Sequence, residues 1–96
     1  MVITSRKNDA VKRFRELLRE KSARDAQGVF AVEGDHLCGE LAKSGHGIIS
    51  VLTTERAEEK YPQTAALLRQ KCSDVTVISG DVAEYISDTK APQGLF

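Results

Sequence analysis

Basic side chains are concentrated at one end of the sequence, where they could neutralise a polyanion. Residues 1–24 contain eight lysines and arginines and three acidic residues, a balance of +5, whereas residues 25–96 balance at −5. Because Lys and Arg make most contacts to phosphates, this asymmetry in a chain without net charge suggests a surface that faces a nucleic-acid backbone. A solvated amphipathic helix would carry the same charge, so composition alone leaves both interpretations open.

Helical spacing gathers part of this charge into one stripe. Asn8 is a good N-cap residue and Asp9 suits the first turn, so we expect a helix from Asp9 to about Arg19 or Glu20. At 100° per residue, one side of that helix is apolar: Val11, Phe14, Leu17 and Leu18. The neighbouring stripe holds three cations: Lys12, Arg15 and Arg19. The sequence therefore predicts a helix that buries one side and presents cations on the next. Ser5, Asn8 and Gln27 are candidates for further polar contacts to phosphates or 2′-hydroxyls.

Residues of catalytic type are present but do not form a recognisable catalytic pattern. His36 and His46 have no nucleophile close in sequence and are interpreted as surface or capping residues. Glu33, Asp35 and Glu40 are close together, yet an acid/base pair needs a pocket that a chain of 96 residues has little room to form. Glycine-rich phosphate loops are absent from the sequence. Phe14 and Phe30 are interpreted as core residues rather than base-stacking platforms.

Bulk properties favour one globular domain in the cytoplasm. Cys38 and Cys72 are expected to be buried free thiols, and neither pairs with a histidine at metal-ligand spacing. Neither a membrane-spanning apolar run nor a secretory signal is expected.

The rest of the chain alternates short apolar runs with helical segments. Residues 21–28 are expected to form a polar loop closed by Gly28. Three runs are predicted as strands: Val29–Val32, covered on both faces, Ile48–Leu52, and Asp74–Ser79. Helices are predicted to start near Asp35, Glu55, Pro62 and Ser79. This order predicts an α/β domain of three layers, α/β/α, with a small mostly parallel or mixed sheet.

The end of the sequence predicts a turn followed by the start of a strand. Pro92 and Gly94 are turn formers, and Leu95-Phe96 are apolar. Either this tail packs locally or the chain is a fragment of a longer protein, and we favour the fragment.

Two separated groups of residues also form recognisable motifs. The first is I-T-S-R-x-N-x-x-V-K at Ile3–Lys12, then Arg24, then G-V-F-A-V-E-G at Gly28–Gly34, with His36-Leu37 after it. The second is Ser87-Asp88-Thr89 followed by Pro92-Gln93-Gly94. Together they resemble the N-terminal substrate-binding domain of the SpoU/TrmH-type RNA ribose 2′-O-methyltransferases of the SPOUT superfamily, in which S-x-T-x-x-P-Q-G leads into the catalytic domain.

The resemblance implies a fold like that of ribosomal-protein-type RNA-binding domains and a role in gripping ribosomal or transfer RNA. It implies an RNA substrate-binding domain over residues 1–90 and the start of a junction over 91–96. The RNA-contacting candidates that match the motifs are Ser5, Arg6, Asn8, Lys12, Arg24, Glu33 and Gly34. The stripe geometry adds Arg15 and Arg19. The role of Glu33 is ambiguous, because a carboxylate repels phosphate. Instead of contacting RNA, Glu33 would orient Arg24 or cap local backbone.

The resemblance also implies which functions this chain lacks. S-adenosylmethionine is expected to bind the missing catalytic domain, through which the parent protein would form a homodimer, so no cofactor is expected here and the chain alone should be inactive. Two alternatives stay open: a stand-alone RNA-binding module of the same fold, and a small α/β protein-interaction or small-ligand domain with a merely solvated basic helix.

Overall fold

A three-stranded parallel sheet lies at the centre of the molecule. The structure is a computed structural model that describes residues 2–87 and 92–96. Three strands form the sheet: β1 (Val2–Ile3), β2 (Val51–Thr53) and β3 (Val75–Ile78). Their order is β1-β3-β2, with Val2 opposite Val77 and Val51 opposite Val75. All paired strands are parallel, which agrees with the predicted mostly parallel core.

Helices cover both faces of this sheet. The helices are α1 (Asp9–Arg19), α2 (Lys21–Gln27), α3 (Asp35–Lys43), α4 (Glu55–Lys60), α5 (Pro62–Lys71) and α6 (Gly80–Ile86). On one face, Val11 and Phe14 of α1 pack with Leu52 and Ile78 of the sheet. On the other face, the side chains that pack together are Cys38, Ala42, Val51, Ala57, Leu68, Cys72 and Leu95. The predicted three-layer α/β/α arrangement is therefore confirmed.

Side-chain caps fix where several helices begin. The Asn8 side chain accepts hydrogen bonds from the backbone N–H of Ala10 at 2.9 Å and Val11 at 3.3 Å, so the predicted N-cap of α1 is confirmed. Ser79 caps α6 in the same way, accepting from Val82 N at 3.2 Å. Pro62 occupies the first turn of α5, where its missing N–H costs nothing.

The segment predicted as a polar loop, residues 21–28, is mostly helical. Helix α2 spans Lys21–Gln27 and ends at Gly28, which adopts the left-handed conformation with φ +67°. The loop prediction was wrong because it followed polarity, although residues 21–27 contain neither Gly nor Pro. An ion pair one turn apart, Lys21 to Asp25 at 2.8 Å, supports the helix.

The prediction of a buried strand at residues 29–32 was also wrong. This segment has no regular secondary structure, and the Phe30 side chain is 60% exposed rather than part of the core. A strand needs a neighbour for its backbone groups, and no strand pairs with residues 29–32 in the described part of the chain. Strand β2 likewise starts at Val51 rather than Ile48, and Ile49 is 62% exposed.

The last residues of the chain pack into the same core. Leu95 forms an antiparallel bridge with Thr53, and the backbones of Leu52 and Phe96 exchange hydrogen bonds of 3.0 and 2.9 Å. Leu95 is fully buried and Phe96 is 4% exposed. Leu95 and Phe96 thus pair with β2 as the strand prediction expected, but only through an isolated bridge and not as a strand of the sheet. The predicted boundary between residues 90 and 91 lies outside the described residues.

Candidate nucleic-acid interface

The cation stripe of α1 lies beside the buried side of the same helix. Val11, Phe14 and Leu17 are buried, which fixes the rotation of α1 about its axis. Lys12 and Arg19 are consequently exposed, and Arg15 is half-buried. The predicted two-sided character of this helix is confirmed.

Tyr85 of α6 brings two of the candidate arginines together. The guanidinium carbon of Arg15 lies 4.7 Å from the centre of the Tyr85 ring, and that of Arg6 lies 5.3 Å from it. Arg15 Nε also donates to the Tyr85 carbonyl oxygen at 3.2 Å. Arg6 forms an ion pair with Asp81 at 2.9 Å. The hydrogen bond to Asp81 and the negative charge of that carboxylate raise the pKa of Arg6 above its ordinary value. The sequence patterns gave no sign that Tyr85 would contact these arginines, although its side chain is also partly buried against the core.

Ser87 connects the stripe to the Glu-Gly turn. Arg19 Nη2 donates to the Ser87 carbonyl oxygen at 2.7 Å, and Ser87 Oγ donates to Glu33 Oε2 at 2.6 Å. Glu33 therefore binds the end of α6, and not Arg24 as one sequence interpretation suggested. The carboxylate is held by a hydroxyl that belongs to the second motif, so the two motifs meet in space.

The Glu-Gly turn is fastened to the C-terminal tail as well. Gly34 has φ +96°, a conformation that favours glycine, and its N–H donates to the Leu95 carbonyl oxygen at 2.9 Å. The next N–H, of Asp35, donates to Gln93 Oε1 at 2.6 Å. A Cβ on Gly34 would lie 3.0 Å from that same oxygen. The left-handed backbone angle favours glycine here, and a larger residue would in addition displace the end of the flexible Gln93 side chain.

The remaining candidates contact local backbone. Arg24 Nη1 donates to the Leu17 carbonyl oxygen at 2.8 Å, near the end of α1. Ser5 Oγ accepts from Lys7 N at 3.1 Å, and Asn8 caps α1. Arg24 is thus joined to α1 rather than to the Glu-Gly turn.

Two lysines at this end of the molecule are exposed, and their ammonium groups have no polar partner among the described residues. Lys7 and Lys12 are both exposed. Within residues 2–87 and 92–96, neither ammonium group takes part in a hydrogen bond or ion pair. We define the basic face as Arg6, Lys7, Lys12, Arg15 and Arg19.

Other kinds of site find little support in the described residues. No three His, Cys, Asp or Glu side chains in residues 2–87 and 92–96 are grouped to hold a metal ion. In that part of the chain, none of the helices has the length and apolarity required to cross a bilayer. Cys38 and Cys72 are buried and free, as predicted, and His36 and His46 are exposed. Burial, assisted by the nearby carboxylates of Asp35 and Glu33, raises the pKa of Cys38 to about 12.

Comparisons with known proteins find a sequence family and solved structures that are similar to this chain, and the structures are those of RNA methyltransferases. The sequence model of the family described as "MRM3-like substrate binding domain" matches residues 8–96. None of the curated proteins compared with the chain matches it.

Several solved structures resemble the whole chain. An rRNA methyltransferase from Sinorhizobium meliloti is 25% identical, with a TM-score of 0.75 over 99% of this chain and 34% of its own. The AdoMet-bound form of an rRNA methyltransferase from that organism gives a TM-score of 0.74 at 25% identity, with the same coverage. An RNA 2′-O ribose methyltransferase is 26% identical, with a TM-score of 0.73 over 99% of this chain and 35% of its own. The chain spans about a third of the length of the structures it matches.

Proposed function

This chain belongs to the family of MRM3-like substrate-binding domains, and we propose that it grips RNA for a ribose 2′-O-methyltransferase. The observation that carries the proposal is the family match, which extends over residues 8–96. The solved neighbours support it, because they are named as RNA and rRNA methyltransferases. In this proposal the chemistry belongs to a catalytic domain that residues 1–96 do not contain.

The basic face is the surface we propose for RNA. Electrostatic attraction to phosphates is additive and salt-dependent, and residues 1–24 carry the whole positive excess of the chain. An arginine has five N–H donors. Arg15 and Arg19 each use one of them in a hydrogen bond to the described part of the chain, which leaves donors for a phosphate. Those internal bonds hold both guanidinium groups in place before RNA arrives, which lowers the entropy cost of binding.

The remaining parts of this proposal concern the longer parent protein. S-adenosylmethionine would bind its catalytic domain, and that domain would form the homodimer and act in the cytoplasm. The RNA is ribosomal or transfer RNA, and the neighbours named as rRNA methyltransferases favour the ribosomal substrate.

A charge-matched pair of double variants tests the RNA-binding face. Lys7→Gln with Lys12→Gln removes two exposed cations whose ammonium groups make no hydrogen bond or ion pair with the described residues. We expect weaker binding to an rRNA fragment and a salt slope lower by about 0.7–0.9 for each phosphate that the variant no longer neutralises. Dissociation constants measured by fluorescence anisotropy at several salt concentrations report both quantities.

The matched control is Lys43→Gln with Lys71→Gln, which removes the same charge from the ends of α3 and α5, away from α1. This control should leave the salt slope close to that of the unmodified chain. Equal weakening in the two double variants would show that net charge, and not the basic face, attracts RNA. Failure of the unmodified chain to retain RNA at low salt would favour a protein-interaction domain, and tighter binding to transfer RNA would change the substrate class.

A further inference from the structure

The Arg6 side chain is held by a carboxylate in the way that a phosphate would hold it. Its Nε and Nη2 atoms donate to the two oxygens of Asp81, at 3.3 and 2.9 Å, which is the bidentate geometry that arginine also forms with phosphate. A phosphate at the same edge of the guanidinium would have to displace that carboxylate, or lie beside it and be repelled. Arg6 is therefore less suited to a phosphate contact than the other cations of the basic face.

The same guanidinium lies over an aromatic ring that belongs to a well-anchored helix. The guanidinium carbon of Arg6 is 5.3 Å from the centre of the Tyr85 ring. Tyr85 is partly buried against the core, and Val82 and Ile86 of the same helix are 0% exposed. Because both an ion pair and a ring contact hold the Arg6 plane, it has little freedom left to lose when a ligand binds.

This group combines a planar surface with an acceptor, and both are open to solvent. The side chains of Arg6 and Asp81 are 53% and 64% exposed. Unpaired nucleobases of RNA stack on arginine planes as well as on aromatic rings. Each Asp81 oxygen that accepts from Arg6 keeps a further lone pair, and a carboxylate can accept from the amino group of a base such as cytosine. The pair thus has the two features needed to bind a base by its face and by its edge.

We propose that Arg6 and Asp81 form a site for one unpaired nucleobase that carries an exocyclic amino group, with Tyr85 as the positioning residue. The base stacks on the Arg6 guanidinium and donates an amino N–H to Asp81. Uracil is disfavoured because it has no amino group. The base comes from a loop or bulge, where its face and edge are accessible. This site rests on the proposed function, because the base belongs to the RNA that the basic face holds.

Three RNA duplexes that differ only in a single bulged nucleotide test this site. The bulge carries cytosine, uracil or no base, so the phosphates are the same in all three. We expect the cytosine duplex to bind about fivefold more tightly than the uracil duplex, through one hydrogen bond to a charged acceptor. The abasic duplex should bind about fivefold more weakly than the uracil duplex, because stacking is lost. Fluorescence anisotropy at several salt concentrations measures each dissociation constant.

Three variants assign these preferences to named side chains. Asp81→Asn should abolish the preference for cytosine over uracil, because an amide both donates and accepts and so accommodates either base. Glu84→Gln is the matched control, since it removes the same charge from an exposed position of the same helix, and it should keep the preference. Arg6→Lys retains the positive charge but not the plane, so the uracil and abasic duplexes should bind it alike with an unchanged salt slope.

Three results would overturn the site. Equal, salt-dependent binding of all three duplexes would show that only phosphates are contacted, and the proposed RNA-binding role would stand. A gain in affinity and salt slope in Asp81→Asn, with the base preference unchanged, would assign Arg6 to a phosphate. Loss of binding to every duplex at low salt would instead refute the proposed function together with this site.

Discussion

Three of the arginines predicted to bind RNA donate hydrogen bonds to carbonyl groups at the ends of helices. Arg24 donates to the Leu17 carbonyl in the last turn of α1, while Arg15 and Arg19 donate to the Tyr85 and Ser87 carbonyls at the end of α6. The last carbonyls of a helix have no partner within it, and positive charge there is favoured by the helix dipole. These arginines therefore stabilise the domain in addition to any contact with RNA, and replacing them would mix loss of stability with loss of binding. Lys7 and Lys12 avoid this difficulty.

The buried Cys38 thiol makes stability sensitive to alkaline pH. Its pKa in the folded chain is raised to about 12, chiefly by burial, whereas an exposed thiol has a pKa of about 8.5. Above that value the unfolded chain loses a proton that the folded chain keeps, so the unfolded state is favoured as pH rises. We expect the free energy of unfolding to fall by up to about 1.4 kcal/mol per pH unit above pH 9. Urea unfolding at a series of pH values from 8 to 11 would measure this slope.

The control for this prediction is Cys38→Ala, which removes the titrating group. Because the substitution also leaves a small void, only the dependence on pH is compared, and that dependence should become shallower in the variant. An unchanged slope would assign the alkaline sensitivity to other groups. In the native protein, Cys38 should also resist thiol reagents at pH 8, because the thiolate is the reactive form.

At the scale of elements, the start of α1 depends on one side chain. Asn8 accepts from two backbone N–H groups that have no partner within the helix. We expect Asn8→Ala to lower the free energy of unfolding by about 0.5–2 kcal/mol, with a matching fall in Tm by thermal denaturation. Asn8→Ser should retain most of the stability, since serine is also a strong N-cap.

The serine variant also separates the two roles assigned to Asn8. If Asn8→Ser melts like the unmodified chain but binds RNA more weakly, the amide contacts RNA as well as capping α1. If Asn8→Ala melts at the same temperature as the unmodified chain, the observed cap contributes nothing to stability.

Local signals predicted the helices better than the strands. The start of α1 at Asp9 follows from a capping residue and a periodic pattern within the helix itself, so a short stretch of sequence contains the information. The strand predicted at residues 29–32 is absent, because a strand depends on a neighbour elsewhere in the chain, which a local pattern cannot reveal. Strand β1 was missed because Val2–Ile3 is too short to show a pattern and forms only by pairing with β3.

The candidate site was predicted in part for the same reason. The cations of α1 follow from helical spacing, and the turn at Gly34 follows from the resemblance. That Ser87 would join Arg19 to Glu33 could not be derived, because it depends on how α6 packs against α1. Tyr85 was recognisable only as an apolar position of α6, and its carbonyl and ring acquire a role through two arginines distant in sequence.

At the scale of the whole molecule, the tail connects elements that are far apart in the chain. Residues Gln93 to Phe96 contact the Glu-Gly turn, β2 and the cores on both faces of the sheet. Gly94 fits there only as glycine, because it has φ +81° and an added Cβ would lie 2.4 Å from Thr54 Oγ1. The segment that resembles an interdomain junction in sequence is thus part of the structural core of this domain.

Removing the last two side chains tests that conclusion. Leu95 is fully buried and Phe96 is 4% exposed, in cores on opposite faces of the sheet. We expect Leu95→Ala to cost about 2–5 kcal/mol and Phe96→Ala about 3–5 kcal/mol, against a total stability of about 5–15 kcal/mol for a typical domain. The double variant should therefore lose most of its cooperative urea transition. Leu37→Ala is the control, because Leu37 is 51% exposed and should change stability by less than about 0.5 kcal/mol. If the double variant unfolds at the same urea concentration as the control, residues 92–96 are a linker that rests on the domain, and the core closes without them.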